Sequence, residues 1–165
     1  MNTGRLAACA AVCLGCLGGV AAHAEEKVQL DPFARATLGF PGCPEVAPPL
    51  LEPAQARNEA HVRVERGLRC AMDGACEPGG AYKRDPEINE SARVEIAGDA
   101  RFADTSVWVM TTRRWVTLQG CVRSTKQRKA LVAFVGTLPR VEKVFDELKV
   151  GVEPAGNANR VPAAR

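Results

Sequence analysis

The sequence predicts an α+β fold, a small sandwich in which two helices cover one face of a three-stranded sheet. Three observations carry this expectation. From residue 85 to residue 150 the periodicity runs helix, strand, strand, helix, strand; the stretch WVTLQGCV at 115–122 alternates with period two; and each expected helix opens on a recognisable start signal. A cysteine-bearing extension, part helical and part irregular, precedes this unit.

The first helix of the unit begins at Asp85-Pro86-Glu87, which reads as an N-cap, a first-turn proline and an acid favoured by the helix dipole. Ile88, Ala92 and Ile96 then mark its buried face, and it ends near Gly98. Residues 105–112 form a strand with Val107, Val109 and Thr111 on one face and Trp108, Met110 and Thr112 on the other. Arg113-Arg114 makes a two-residue turn into the strand 115–122, although arginine is poor at the positive φ such turns require, so the turn type stays open. On that second strand Val116, Leu118, Gly120 and Val122 face one way, and Trp115, Thr117, Gln119 and Cys121 the other.

The sequence Ser124-Thr125-Lys126-Gln127 is a capping box, and Ala130, Leu131, Phe134, Val135 and Leu138 supply the apolar stripe of a helix stopped by Pro139. The last strand, 141–150, has Val144, Leu148 and Val150 inward. In the extension, prolines and glycines punctuate residues 25–50 too often for a long element. A helix follows over 53–69, where Ala56, Ala60, Val64 and Leu68 recur every four residues, and residues 70–84 form a turn-rich connector. The tail, 151–165, has the composition of a disordered segment.

The N-terminus reads as a secretory signal over residues 1–24, with Arg5, an apolar run at 6–21 and Ala22-His23-Ala24 as the cleavage site. That run is shorter than the roughly 20 residues a spanning helix needs. A competing reading takes Cys9 or Cys16 as a lipidation site, but Cys9 leaves no apolar core before it and Cys16 lacks the preceding branched aliphatic. Signal removal leaves Cys43, Cys70, Cys76 and Cys121, an even set that an exported protein uses as disulfides and for which sequence allows three full pairings. The charge is divided: residues 25–100 hold 9 Lys/Arg against 14 Asp/Glu, and residues 101–149 hold 10 against 4.

The element order, Val107 and Val109, the strand from Val116 to Val122 with its glycine at Gly120, the capped helix, and the closing Val141, Val144, Leu148 and Val150 together resemble the BON domain. This is a bacterial periplasmic module seen in osmotically inducible envelope proteins, nodulation proteins, secretins and mechanosensitive channels. Two turns depart from the family pattern: its hairpin Asn-Gly is Arg113-Arg114 here, and its glycine before the final valine is Arg140. The resemblance implies a non-enzymatic module that associates with phospholipid membranes or envelope partners.

Residue chemistry agrees with a non-enzymatic reading. After signal removal His61 is the only histidine, which leaves no pair for zinc and no partner for a nucleophilic triad, and neither a catalytic residue nor a cofactor is expected. Basic and aromatic residues are not interleaved as a nucleic-acid stacking platform needs. The expected partners are an anionic phospholipid surface or an envelope protein. The residues expected to meet them are Arg113, Arg114, Arg123, Lys126, Arg128 and Lys129, with Arg140 and Lys143 beside turns, and the start of the helix after Ser124 is the expected headgroup contact. A scaffold or chaperone role without lipid is the alternative, using the helix-free face that carries Trp108, Met110, Trp115 and Phe145. Cys121 lies on that face while the other three cysteines lie in the extension. The extension is therefore expected to fold back over the sheet, stapled to Cys121 by Cys43, with Cys70 and Cys76 paired; a buried free thiol at Cys121 is the alternative.

Overall fold

Alternation in the chain becomes a four-stranded sheet in the computed structural model, which describes residues 26–152. The signal segment with Cys9 and Cys16, and the tail beyond residue 152, lie outside the described residues. The elements are β1 (Phe33–Leu38), α1 (Pro53–Met72), α2 (Asp85–Gly98), a 3-10 turn (Ala100–Phe102), β2 (Ser106–Thr112), β3 (Trp115–Val122), α3 (Thr125–Gly136) and β4 (Lys143–Val150). The expected order of helix, strand, strand, helix, strand is present from α2 to β4.

Strands lie in the order β1-β2-β3-β4, antiparallel except for the parallel β3–β4 pair, which α3 connects. A parallel neighbour requires a crossover of this kind. The two-residue hairpin sets Trp108 opposite Gln119 and Met110 opposite Thr117. Val107, Val109, Val116, Leu118, Val122 and Leu148 consequently face α2 and α3, where they meet Ile88, Ala92, Ile96, Leu131 and Val135 in one buried core with Phe102. Gly120 has φ +116°, and a Cβ there would lie 2.1 Å from the Ser106 carbonyl oxygen, so only glycine fits this sheet position.

The sheet has one strand more than expected. β1 comes from the stretch read as irregular, and it pairs with β2 through a register shift between Arg35 and Thr37. Its sequence FARATL has no period-two pattern because the shift breaks the alternation, and the Thr37 hydroxyl donates or accepts at 2.8 Å with Thr105, 68 positions away. Val150, expected inward, is exposed at the strand end.

The start of α2 also differs. Arg84 occupies the N-cap without a side-chain cap, and Asp85 sits one residue inside. Its carboxylate turns away from its own helix and accepts hydrogen bonds from the backbone amides of Arg113 and Arg114, each at 2.7 Å. Both arginines have positive φ, 56° and 65°, as a type I′ turn needs. Asp85 thus satisfies the amides of a turn that lacks its usual Asn-Gly.

The helix α1 lies outside this sandwich and makes no extended contact with another helix or strand. Its capping box pairs Glu52 with Gln55, and Pro53 occupies the first turn. Ala56 and Gly67, not the four-residue stripe through Ala60, Val64 and Leu68, are its buried residues. Arg63 holds it in place through a two-bond ion pair with Asp31 at 2.7 and 3.1 Å, a bond to Glu59, and stacking on Tyr82 at 4.7 Å. Asp31 above all, with Glu59, raises the Arg63 guanidinium further above its already high range, against the opposing effect of burial. Gly67 packs directly on Gly80, where a Cβ on Gly80 would lie 2.7 Å from the Gly67 Cα. Disulfide Cys70–Cys76 closes the C-terminal turn.

Candidate functional site

The helix-free face of the sheet divides into a covered part and an open part. A disulfide joins Cys43 to Cys121, with Cα atoms 5.8 Å apart, and residues 43–48 run across the face. This strap borders Gln119, Gly120 and Glu147 on one side and Trp108 with Phe33 on the other. It leaves Trp108 2% exposed, so Trp108 belongs to the interior and drops out of the expected contact surface.

At the hairpin end the strap is gone, and aromatic and basic groups gather. Trp115 and Phe145 meet edge to face with ring centroids 5.8 Å apart, and Phe145 keeps 36% of its surface in solvent. Arg113 lies over the Trp115 ring at 5.1 Å, and Lys143 lies 4.6 Å from the centre of Phe145. Pairing of Trp115 with Lys143 and of Thr117 with Phe145 across the parallel strands brings the four together, with Met110 half-buried opposite Thr117. Lys143 reaches the patch only because β4 runs parallel to β3, which the sequence does not display.

Several of the expected cations are engaged elsewhere. Arg114 pairs with Glu142 at 2.7 Å, and Arg128 pairs with Asp146 at 2.7 Å. Arg123 stacks on Phe40 at 4.0 Å, donates to the carbonyls of Asp104 and Gly39, and so clamps the extension to the sheet. Arg140 reaches Glu87 at 3.2 Å. Lys126 and Lys129 form no ion pair among the described residues and remain exposed.

The start of α3, the expected headgroup contact, is occupied by the protein itself. Ser124 Oγ accepts from the Gln127 amide at 3.1 Å, as the capping box requires. The Gln127 side chain accepts from the Arg123 amide and donates to Asp104 and to the Arg101 carbonyl. Asp104 and Asp146 alongside engage Arg123 and Arg128, and Lys126 and Lys129 are the cations this helix end still presents to solvent. The surface that joins aromatic rings to cations is the hairpin end: Trp115, Phe145, Arg113 and Lys143.

Among the described residues, no group of three or more His, Cys, Asp and Glu side chains is placed to hold a metal ion, and no helix is long and apolar enough to cross a membrane. No curated protein and no solved structure matches the chain. The family model for the BON domain matches residues 84–152, the stretch that holds α2, both hairpin strands, α3 and β4. By that match and by its helix-strand-strand-helix-strand order, this segment of the chain belongs to the BON domain family.

Proposed function

We propose that this is a non-enzymatic protein of the periplasm that attaches to anionic phospholipid surfaces of the cell envelope through the hairpin end of its BON domain, and so supports envelope integrity. The family is generally non-enzymatic and envelope-associated, which supports the location and class. The observation that carries the site is the pair of half-buried Trp115 and exposed Phe145, flanked by Arg113 and Lys143. Aromatic rings settle at the boundary between headgroups and acyl chains, while adjacent cations meet the phosphates.

Arg113 adds a second support. It holds a left-handed backbone, which costs roughly 1–2 kcal/mol for a residue with a side chain, and forms no ion pair among the described residues to offset that cost. A strained residue kept at a protruding turn suggests that its exposed charge is used.

Sedimentation with vesicles tests the proposal. The protein is expected to bind vesicles of phosphatidylglycerol and phosphatidylcholine in equal parts, to release them as salt rises, and to ignore pure phosphatidylcholine. Each cation near the surface contributes roughly 1 kcal/mol, so losing two in Arg113→Glu with Lys143→Glu lowers binding about thirtyfold or more. Binding unchanged by salt and by this double reversal would exclude the site. No vesicle binding, with capture of an envelope protein through the same residues, would favour the scaffold reading.

A further inference from the structure

The helix α1 presents its apolar stripe outward. Val64 is 61% exposed, Leu68 62% and Met72 86%, and these three, spaced four residues apart, form one line on a single helix. The remaining exposed large apolar residues, such as Leu38, Leu50 and Val94, are spread over other parts of the fold. The helix is held from behind. Arg63 with Asp31 and Tyr82 and the Cys70–Cys76 disulfide secure the far side, and the Gly67–Gly80 contact flanks the stripe, whose Val64, Leu68 and Met72 border one hollow with Pro78 and Gly79, so the stripe cannot rotate inward without breaking these contacts.

Charge indicates what the stripe meets. The ion pairs on α1 join Arg63 to Asp31 and Glu59, while Glu65 lies 3.2 Å from His61. Arg57, in line with the stripe by helical geometry, and Arg69, on its flank, form none among the described residues. Two arginines against Glu65 leave the rim a small positive excess. Arg69 and Arg66 also line one hollow with Arg113, alongside Glu65 and Asp73, so the cations of the hairpin end continue onto α1. A second copy of the chain would set these arginines against themselves, whereas an anionic surface meets all of them with opposite charge.

We propose that α1, which lies outside the BON segment, is a second membrane contact: a helix lying in the plane of an anionic phospholipid surface, with Val64, Leu68 and Met72 entering the headgroup boundary. Its 20 residues span about 30 Å. The inference rests on the lipid reading above and extends it to a part of the chain with no family match.

Two variants separate the two claims, both with vesicles of phosphatidylglycerol and phosphatidylcholine in equal parts. Leu68→Glu with Met72→Glu alters exposed positions only, so far-UV circular dichroism and both disulfides should be unchanged. Vesicle binding should fall about tenfold or more, because two apolar side chains lose their burial. Leu68→Trp should shift its emission to shorter wavelength when vesicles are added, measured as a difference from the wild-type signal. Wild-type binding that survives the double substitution, with no emission shift, overturns the role of α1 and leaves the hairpin site standing. Absence of wild-type binding overturns both. A wild-type dimer in sedimentation that Leu68→Glu with Met72→Glu converts to monomer overturns the membrane as the occupant.

Discussion

The carboxylate of Asp85 accepts a 2.7 Å hydrogen bond from the backbone amide of Arg114, a residue 29 positions later in the chain. An equal bond from Arg113 makes Asp85 the brace of the hairpin. Asp85 is 2% exposed, so its carboxylate relies on these two bonds in place of water. Hydrogen bonds to a charged group contribute about 1.5–3 kcal/mol each. Asp85→Ala is expected to destabilise the protein by about 3 kcal/mol, since the freed amides at the exposed turn recover part of the loss from water. Urea unfolding with an unchanged slope would measure it.

The same residue has an expected pH signature. Burial pushes the Asp85 carboxyl above its ordinary value of 3.8, the amides of Arg114 and Arg113 pull it down, and the first effect wins. The folded state then binds this proton more tightly than the unfolded state. The proton-linked part of the contribution of Asp85 is fully present below 3.8 and is lost as pH rises through its folded value. Glu77, Glu90 and Asp99 act in the opposite sense, because hydrogen bonds from Arg84, Arg93 and Arg101 lower them; what they contribute disappears on acidification. The stability difference between wild type and Asp85→Ala, followed by urea unfolding across acidic pH, cancels the shared carboxylates and should shrink towards neutrality.

Three arginines occupy left-handed backbone: Arg113, Arg114 and Arg140, with φ of 56°, 65° and 68°. Asparagine and glycine adopt this region with less strain. Replacing Arg140 by Gly should stabilise the fold by about 1 kcal/mol, less the small contribution of its exposed pair with Glu87. Replacing Arg113-Arg114 by Asn-Gly should stabilise it by a similar amount or more while weakening vesicle binding. Thermal unfolding and sedimentation of the same preparation would reveal the trade between stability and attachment. A hairpin variant that gains stability without losing binding would remove Arg113 from the site.

The Cys43–Cys121 bond closes a loop of 78 residues, so its loss is expected to cost about 4 kcal/mol. Cys70–Cys76, with a separation of 6, constrains a short loop and is expected to contribute about 2 kcal/mol. Cys43→Ser with Cys121→Ser should also loosen the strap from Trp108, which iodide quenching of tryptophan fluorescence would detect. Removal of the short disulfide should leave that quenching unchanged.

The helices and strands of the BON segment were legible because their determinants are local. Val107 and Val109, the alternation of 115–122, Ile88 with Ala92 and Ile96, and the Ser124–Gln127 cap all act within one or two turns of chain. The two-residue hairpin then settled the register that sets Trp108 opposite Gln119. Tertiary structure decided whatever depended on distant partners: β1 exists because β2 offers it an edge, Asp85 serves a turn 28 positions away instead of its own helix, and Arg128 is neutralised by Asp146. It also decided that α1 turns Val64 and Leu68 to solvent. The four-residue spacing marks an apolar face but not its direction, and the direction was set by Arg63 finding Asp31, 32 positions back, on the other side of the helix.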